Sequence, residues 1–257
     1  MMRRAGRTIF SGVFLVGLTL TAGCAARAKV KRDPARETAS KIRTADSFLR
    51  AGKVNEALSQ VDQAIAAEPS NGGFRNFYGQ ICFIAGRNAE AETAFLKALE
   101  LDPYLTDAHN NLGAVLDRDG RKEDAEREYR LALKDPVYPT PEKVHLNLGL
   151  LYASEGRDVE ALASMRRAVE INPRYYQAHF ELASLLDRLG KLEEAAREYE
   201  VALPDYRNSG DYHYRLGLAY LRLQDAEKAR QHLLRVREVA PGSESSAKAD
   251  ELLKLIH

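Results

Sequence analysis

From about residue 38 onward the apolar positions fall in paired stripes at helical spacing, with no alternating runs. Leu112, Gly113 and Leu116 share one helical face, a glycine follows at 120, and Ala125, Tyr129 and Ala132 form a second face. The next stretch repeats the plan: Leu148, Gly149 and Tyr152, then Gly156, then Ala161, Met165 and Ala168. This pattern predicts antiparallel helix pairs and an all-α chain.

The pairs recur with a period near 34 residues, so the segments align on one helix–turn–helix template. Template position 8 is always small: Ala45, Gly79, Gly113, Gly149, Ala183 and Gly217. Position 20 is always alanine: Ala57, Ala91, Ala125, Ala161, Ala195 and Ala229. Position 27 reads Ala64, Ala98, Ala132, Ala168, Ala202 and Val236. Small residues here let two helices, and the first helix of the next pair, approach closely, while larger ones at 7, 11 and 24 fill the space between. A glycine at position 15 (52, 86, 120, 156, 190) ends each first helix in a left-handed turn, and Gln224 takes that place in the sixth pair. Pro69, Pro103, Pro173 and Pro241 stop second helices.

Two irregularities interrupt the period. Pro136, Pro139 and Pro141 exclude helix between the third and fourth pairs and predict a stiff, exposed link. Pro204 comes early in the fifth, which predicts a loop over 205–210. After Pro241-Gly242, residues 243–257 predict a capping helix with Ala247, Leu252, Leu253 and Ile256 on its buried side.

The signature of small residues, turn glycines and closing prolines resembles that of tetratricopeptide (TPR) proteins over about residues 38–241. The resemblance implies a right-handed superhelical solenoid of six TPR hairpins (38–71, 72–105, 106–139, 142–175, 176–209 and 210–243) closed by the capping helix.

The N-terminus follows a different grammar. Arg3, Arg4 and Arg7 precede an uncharged stretch from Thr8 to Ala22, too short to span a bilayer comfortably and shaped like a secretory signal. Thr21-Ala22-Gly23-Cys24 resembles the bacterial lipobox, with Thr21 where leucine is commoner. The resemblance implies a signal peptide over 1–23, lipid attachment at Cys24, and, with Ala25 following, the outer membrane facing the periplasm. Cleavage after Ala26 would instead discard Cys24. Residues 24–37 then form a tether with Arg27, Lys29, Lys31, Arg32 and Arg36 against Asp33 and Glu37. That charge suits anionic headgroups, but in so short a run a solvated tether is the favoured reading.

Net charge is +1, which provides no strong field for nucleic acid. No serine–histidine–aspartate set, phosphate loop or zinc-protease motif appears, so the chain reads as no enzyme, with no cofactor and no small-molecule substrate. His109, His145, His179 and His213 all fall at template position 4. Stacked equivalent helices stand roughly 8–10 Å apart, too far for one ion with bonds near 2 Å, so no metal site is expected. Cys82 lies among Ile81, Phe83 and Ile84 and reads as core. Glu123-Asp124 and Glu193-Glu194 sit at helix starts, where the dipole favours them.

What remains is binding. In TPR folds the first helices line a concave groove, and the resemblance places Asn76, Phe83, Leu146, Leu150, Phe180, Tyr214, Leu218 and Leu221 there, a surface suited to an apolar segment of a protein partner. Asn111 and Asn147 sit where some TPRs clamp a carboxylate, but the accompanying lysines are missing. The anchor, the six repeats, Tyr138-Pro139 ahead of Asn147-Leu148-Gly149-Leu150, and Pro241-Gly242-Ser243 together resemble the type IV pilus pilotin family. That resemblance implies a scaffold that binds the pilus secretin and promotes its outer-membrane localisation and multimer assembly. The alternative is a TPR lipoprotein of another envelope assembly, serving β-barrel assembly or peptidoglycan enzymes.

Overall fold

A computed structural model describes residues 34–256. The predicted signal peptide, Cys24 and most of the tether lie outside the described residues. Among those described there are thirteen helices and no strand. Six hairpins follow in order: α1 (Pro34–Arg50) with α2 (Val54–Ala67), α3 (Gly72–Ile84) with α4 (Asn88–Leu101), α5 (Thr106–Arg118) with α6 (Lys122–Ala132), α7 (Pro141–Ser154) with α8 (Asp158–Ile171), α9 (Tyr176–Arg188) with α10 (Leu192–Tyr206), and α11 (Gly210–Arg222) with α12 (Ala226–Val239). Helix α13 (Glu244–Leu253) packs on both α11 and α12 as the cap. No described helix is long and apolar enough to cross a membrane.

Helices pack on their hairpin partners, and α2, α4, α6, α8 and α10 each pack on the first helix of the next hairpin, the nearest-neighbour pattern of a solenoid. The small-residue columns are the contact seams. All six position-20 alanines and all six residues at position 27 are fully buried. The position-8 glycines face position 24 of the same hairpin: a Cβ on Gly79 would stand 2.6 Å from the Phe95 ring, and one on Gly113 2.7 Å from the Tyr129 ring. The helices therefore approach to a distance set by a missing methyl group on one side and a large side chain on the other.

The predicted turn glycines all take positive φ, between 72° and 80°, and Gln224 takes the same left-handed conformation at 62°. The backbone bonds match as well. Gly190 N donates to Asp187 O (3.1 Å) and Lys191 N to Leu186 O (2.9 Å), while Gln224 N donates to Leu221 O and Asp225 N to Tyr220 O, both at 3.0 Å. Side-chain caps appear where the sequence provides them: Asn71, Ser209, Asp225 and Ser243 accept from backbone N–H groups in the first turns of α3, α11, α12 and α13.

Four local expectations are corrected. Helix α1 begins at Pro34, so the last residues of the predicted tether are helical, with Glu37 and Lys41 paired one turn apart at 3.4 Å. Helix α10 runs through Pro204 to Tyr206 instead of ending in a loop. Its last turn is held from outside, because the Tyr206 ring stacks on Phe180 (4.8 Å) and on Tyr212 (5.6 Å). The proline-rich link is non-helical but not simply exposed: Tyr138 is buried, and its hydroxyl donates to Asp107 Oδ1 at 2.8 Å. Asp135 Oδ2 accepts from the Thr106 hydroxyl at 2.9 Å, so both ends of the link are tied to α5. In α13 the buried side is Ser246 and Ala249, with Ile256 beyond the helix. Ala247 faces solvent, one position out of the phase that the α11–α12 seam selects.

Candidate functional site

The first helices of the hairpins form one face. Along it, side chains bridge successive repeats. Asn111 Nδ2 donates to Asn76 Oδ1 and Asn147 Nδ2 to Asn110 Oδ1, both at 3.0 Å. Arg118 Nη1 donates to the Phe83 carbonyl (3.1 Å) while its guanidinium lies 3.6 Å from the centre of the Phe83 ring. Arg222 reaches back to Asp187 and Arg188 to Asp158, one repeat earlier in each case.

The structure divides the predicted groove residues. Leu146 is fully buried in the main core and cannot contact a partner, and Asn76 is almost fully buried and occupied by Asn111; both leave the candidate surface. Phe83 is half-buried beneath Arg118, and Phe180 is half-buried beneath Tyr206. Tyr214 and Leu221 are half-buried against the C-terminal core, to which Leu252 and Leu253 from the cap also belong. Leu218 is half-buried beside them on α11. Leu150 lines an open cavity of about 770 Å³.

That cavity is the most developed feature of the face. It is lined by Leu150 and Ala153 of α7, Glu181 and Ser184 of α9, and Arg215 and Arg222 of α11, with Met165 of α8 and Leu192 of α10 also reaching it. A mixed apolar and polar concavity of this size has room for a side chain or short segment of a macromolecule. Glu181 was not among the predicted residues. Burial pushes its carboxyl above the usual range, with Arg215 opposing the shift. Position 6 reads Asn111, Asn147, Glu181 and Arg215 in successive hairpins, a polar row visible in the repeat alignment.

The histidine column is structural. His109 Nδ1 meets Glu128 Oε2 at 2.7 Å and its Nε2 meets the Pro103 carbonyl at 3.2 Å; His179 repeats both contacts, on Glu198 (2.6 Å) and Pro173 (3.2 Å). At His109 the Glu128 bond raises the pKa above its ordinary value. In the sixth hairpin the glutamate is replaced by His232, whose Nδ1 lies 3.0 Å from that of His213. Burial lowers both, His232 to about 4. Burial lowers His145, and the Arg167 charge adds to it. Among the described residues no three histidine, cysteine, aspartate or glutamate side chains converge as ion ligands. Cys82 is fully buried, and burial pushes its thiol pKa up.

Comparison with known proteins follows the hairpins. Models described as tetratricopeptide repeat match residues 42–105, 94–127, 152–216 and 211–243. The type IV pilus assembly protein PilF of Pseudomonas aeruginosa is 24% identical over 240 residues, covering 90% of this chain and 93% of that protein. The mouse protein O-mannosyl-transferase TMTC3 is 31% identical over 144 residues, but the chain spans only 16% of its length. Among solved structures, PilW, a type IV pilus biogenesis factor, aligns with a TM-score of 0.74 at 24% identity over 82% of this chain and 97% of its own. The Pseudomonas aeruginosa PilF structure gives 0.75 at 19% identity, over 85% of this chain and 99% of its own. Six hairpins in phase with these matches show that the chain belongs to the tetratricopeptide-repeat family and is homologous to PilF over most of its length.

Proposed function

We propose that this protein is a lipid-anchored, non-catalytic scaffold of type IV pilus biogenesis that binds the pilus secretin through its concave face and promotes secretin localisation and multimer assembly at the outer membrane. The observation that carries this reading is reciprocal coverage. A generic repeat match covers a fragment of a longer protein, as with TMTC3, whereas PilF and this chain each match over about nine-tenths of their length. The α7–α11 cavity supplies a place for a partner segment. Acylation at Cys24 would hold the scaffold at a membrane surface and raise the effective concentration of a captured segment there.

The test is genetic and biochemical. Deletion of the gene should strip detergent-resistant secretin multimers from outer-membrane fractions, and a Cys24→Ala protein should leave the envelope pellet. Normal multimer levels in the deletion strain would reject the pilus reading. In-cell crosslinking that captured a barrel-assembly subunit or a peptidoglycan enzyme instead would move the scaffold to that assembly.

A further inference from the structure

The α7–α11 cavity holds one carboxylate to which no cation is directly bonded. Five of its lining residues are ionisable: Glu181, Asp187, Arg188, Arg215 and Arg222. Each arginine already has a carboxylate of its own. Arg222 bonds Asp187, Arg188 bonds Asp158 at 2.8 Å, and Arg215 bonds Asp211 at 2.8 Å. The lining itself thus holds three arginines and two carboxylates; Asp158 and Asp211 reach two of the arginines from outside it, and Glu181 is the one ionisable lining group with no direct hydrogen bond or ion pair among the described residues. It projects from the middle of the inner face, one helical turn before Ser184, and Leu150 and Ala153 from the neighbouring hairpin line the same cavity.

Arg215 offers Glu181 a charge at a distance but no direct bond, so this half-buried carboxylate has lost water and recovered only part of that loss. The shift of its carboxyl above the usual range records that loss. A cation arriving with a ligand would restore the balance in a partly dry site, where charge-assisted hydrogen bonds are strongest.

Resting on the reading of this face as the partner-binding groove, we infer that the α7–α11 cavity recognises a protein segment that places a lysine or arginine against Glu181 and an apolar side chain against Leu150 and Ala153. The pairing, not the net charge, selects a basic group: each lining arginine already has a carboxylate within hydrogen-bond distance, whereas Glu181 has no cation bonded to it. Leu150 adds the apolar half of the specificity.

Random dodecapeptides displayed on phage, panned against the full chain in detergent, test this. Selected sequences should carry a basic residue near an apolar one. A synthetic peptide of the most enriched sequence should bind about tenfold or more weakly to Glu181→Gln, and its lysine-to-glutamine version should lose the same factor on the wild type. The lysine-to-glutamate version should regain affinity on Glu181→Lys, a rescue that misfolding cannot produce. Equal binding of the basic peptide to wild type and Glu181→Gln, while Leu150→Glu abolishes it, would overturn the charge assignment and leave the groove intact. Binding insensitive to Leu150→Glu, or no enriched sequence at all, would overturn the groove and this inference with it.

Discussion

Gln224 occupies a left-handed turn that the five preceding hairpins give to glycine, and this isolates a single physical term. For an L-residue with a Cβ the left-handed region costs about 1–2 kcal/mol. Glycine escapes that cost but loses about 0.5–1 kcal/mol more backbone entropy on folding. Gln224 is exposed, so truncating its side chain removes little packing. Gln224→Gly should therefore stabilise the sixth hairpin by about 0.5–1 kcal/mol. The reciprocal change gives the control. A Cβ at Gly190 meets nothing within 4 Å, so Gly190→Gln adds no clash and should cost a similar amount through φ alone. Amide hydrogen exchange is the better assay, because solenoids open locally and a single melting midpoint averages over repeats. Slower exchange in α11 and α12 for Gln224→Gly and faster exchange in α9 and α10 for Gly190→Gln are expected, with melting shifts of about 1–4 °C. If both variants exchange like the wild type, backbone conformation is not what glycine supplies at these turns.

Three further outcomes follow from other parts of the molecule. Ala161 is fully buried in the fourth hairpin seam, so Ala161→Leu should overpack it by about 1–3 kcal/mol, and an unchanged urea midpoint would refute the repeat phase. Tyr138→Phe removes the hydroxyl that ties the proline link to Asp107. Asp107 is exposed and water can replace the bond, so a loss of about 0.5–1.5 kcal/mol and faster proteolytic cleavage within 134–140 are expected, and wild-type cleavage rates would show that the bond holds nothing. The His213–His232 pair makes the C-terminal hairpin sensitive to acid. Both folded pKa values lie below that of the unfolded chain, so the stabilisation is present above pH ~6.5 and is lost as pH falls toward about 4. Protection factors in α11 and α12, corrected for the slower intrinsic exchange in acid, should fall between pH 7 and 5, and His232→Gln should blunt the change. Equal protection at both pH values would sink the assignment.

The sequence alone determined the helices, their pairing, the turn conformations and the seams, because each of these is a nearest-neighbour requirement that the chain repeats six times. A methyl group too many at Gly79 or Gly113, or a missing glycine at 190, has the same local consequence wherever it occurs, so periodicity records it. The histidine–glutamate contacts at His109 and His179 were also written there, as a second column nineteen residues on, but they become meaningful only once the facing helices are in place. The concave face was decided by tertiary structure. Leu146 and Leu150 lie one turn apart on the same helix and look equivalent as letters, yet one is sealed in the core and the other opens on a cavity. Phe180 is covered because α10 continues past Pro204 far enough to bring Tyr206 over it, an outcome that turns on a ring stack between helices. Glu181 stands out only after each neighbouring arginine is seen to have found its own carboxylate. Exposure and charge balance on a groove are sums over several helices, and no single period of the sequence contains them.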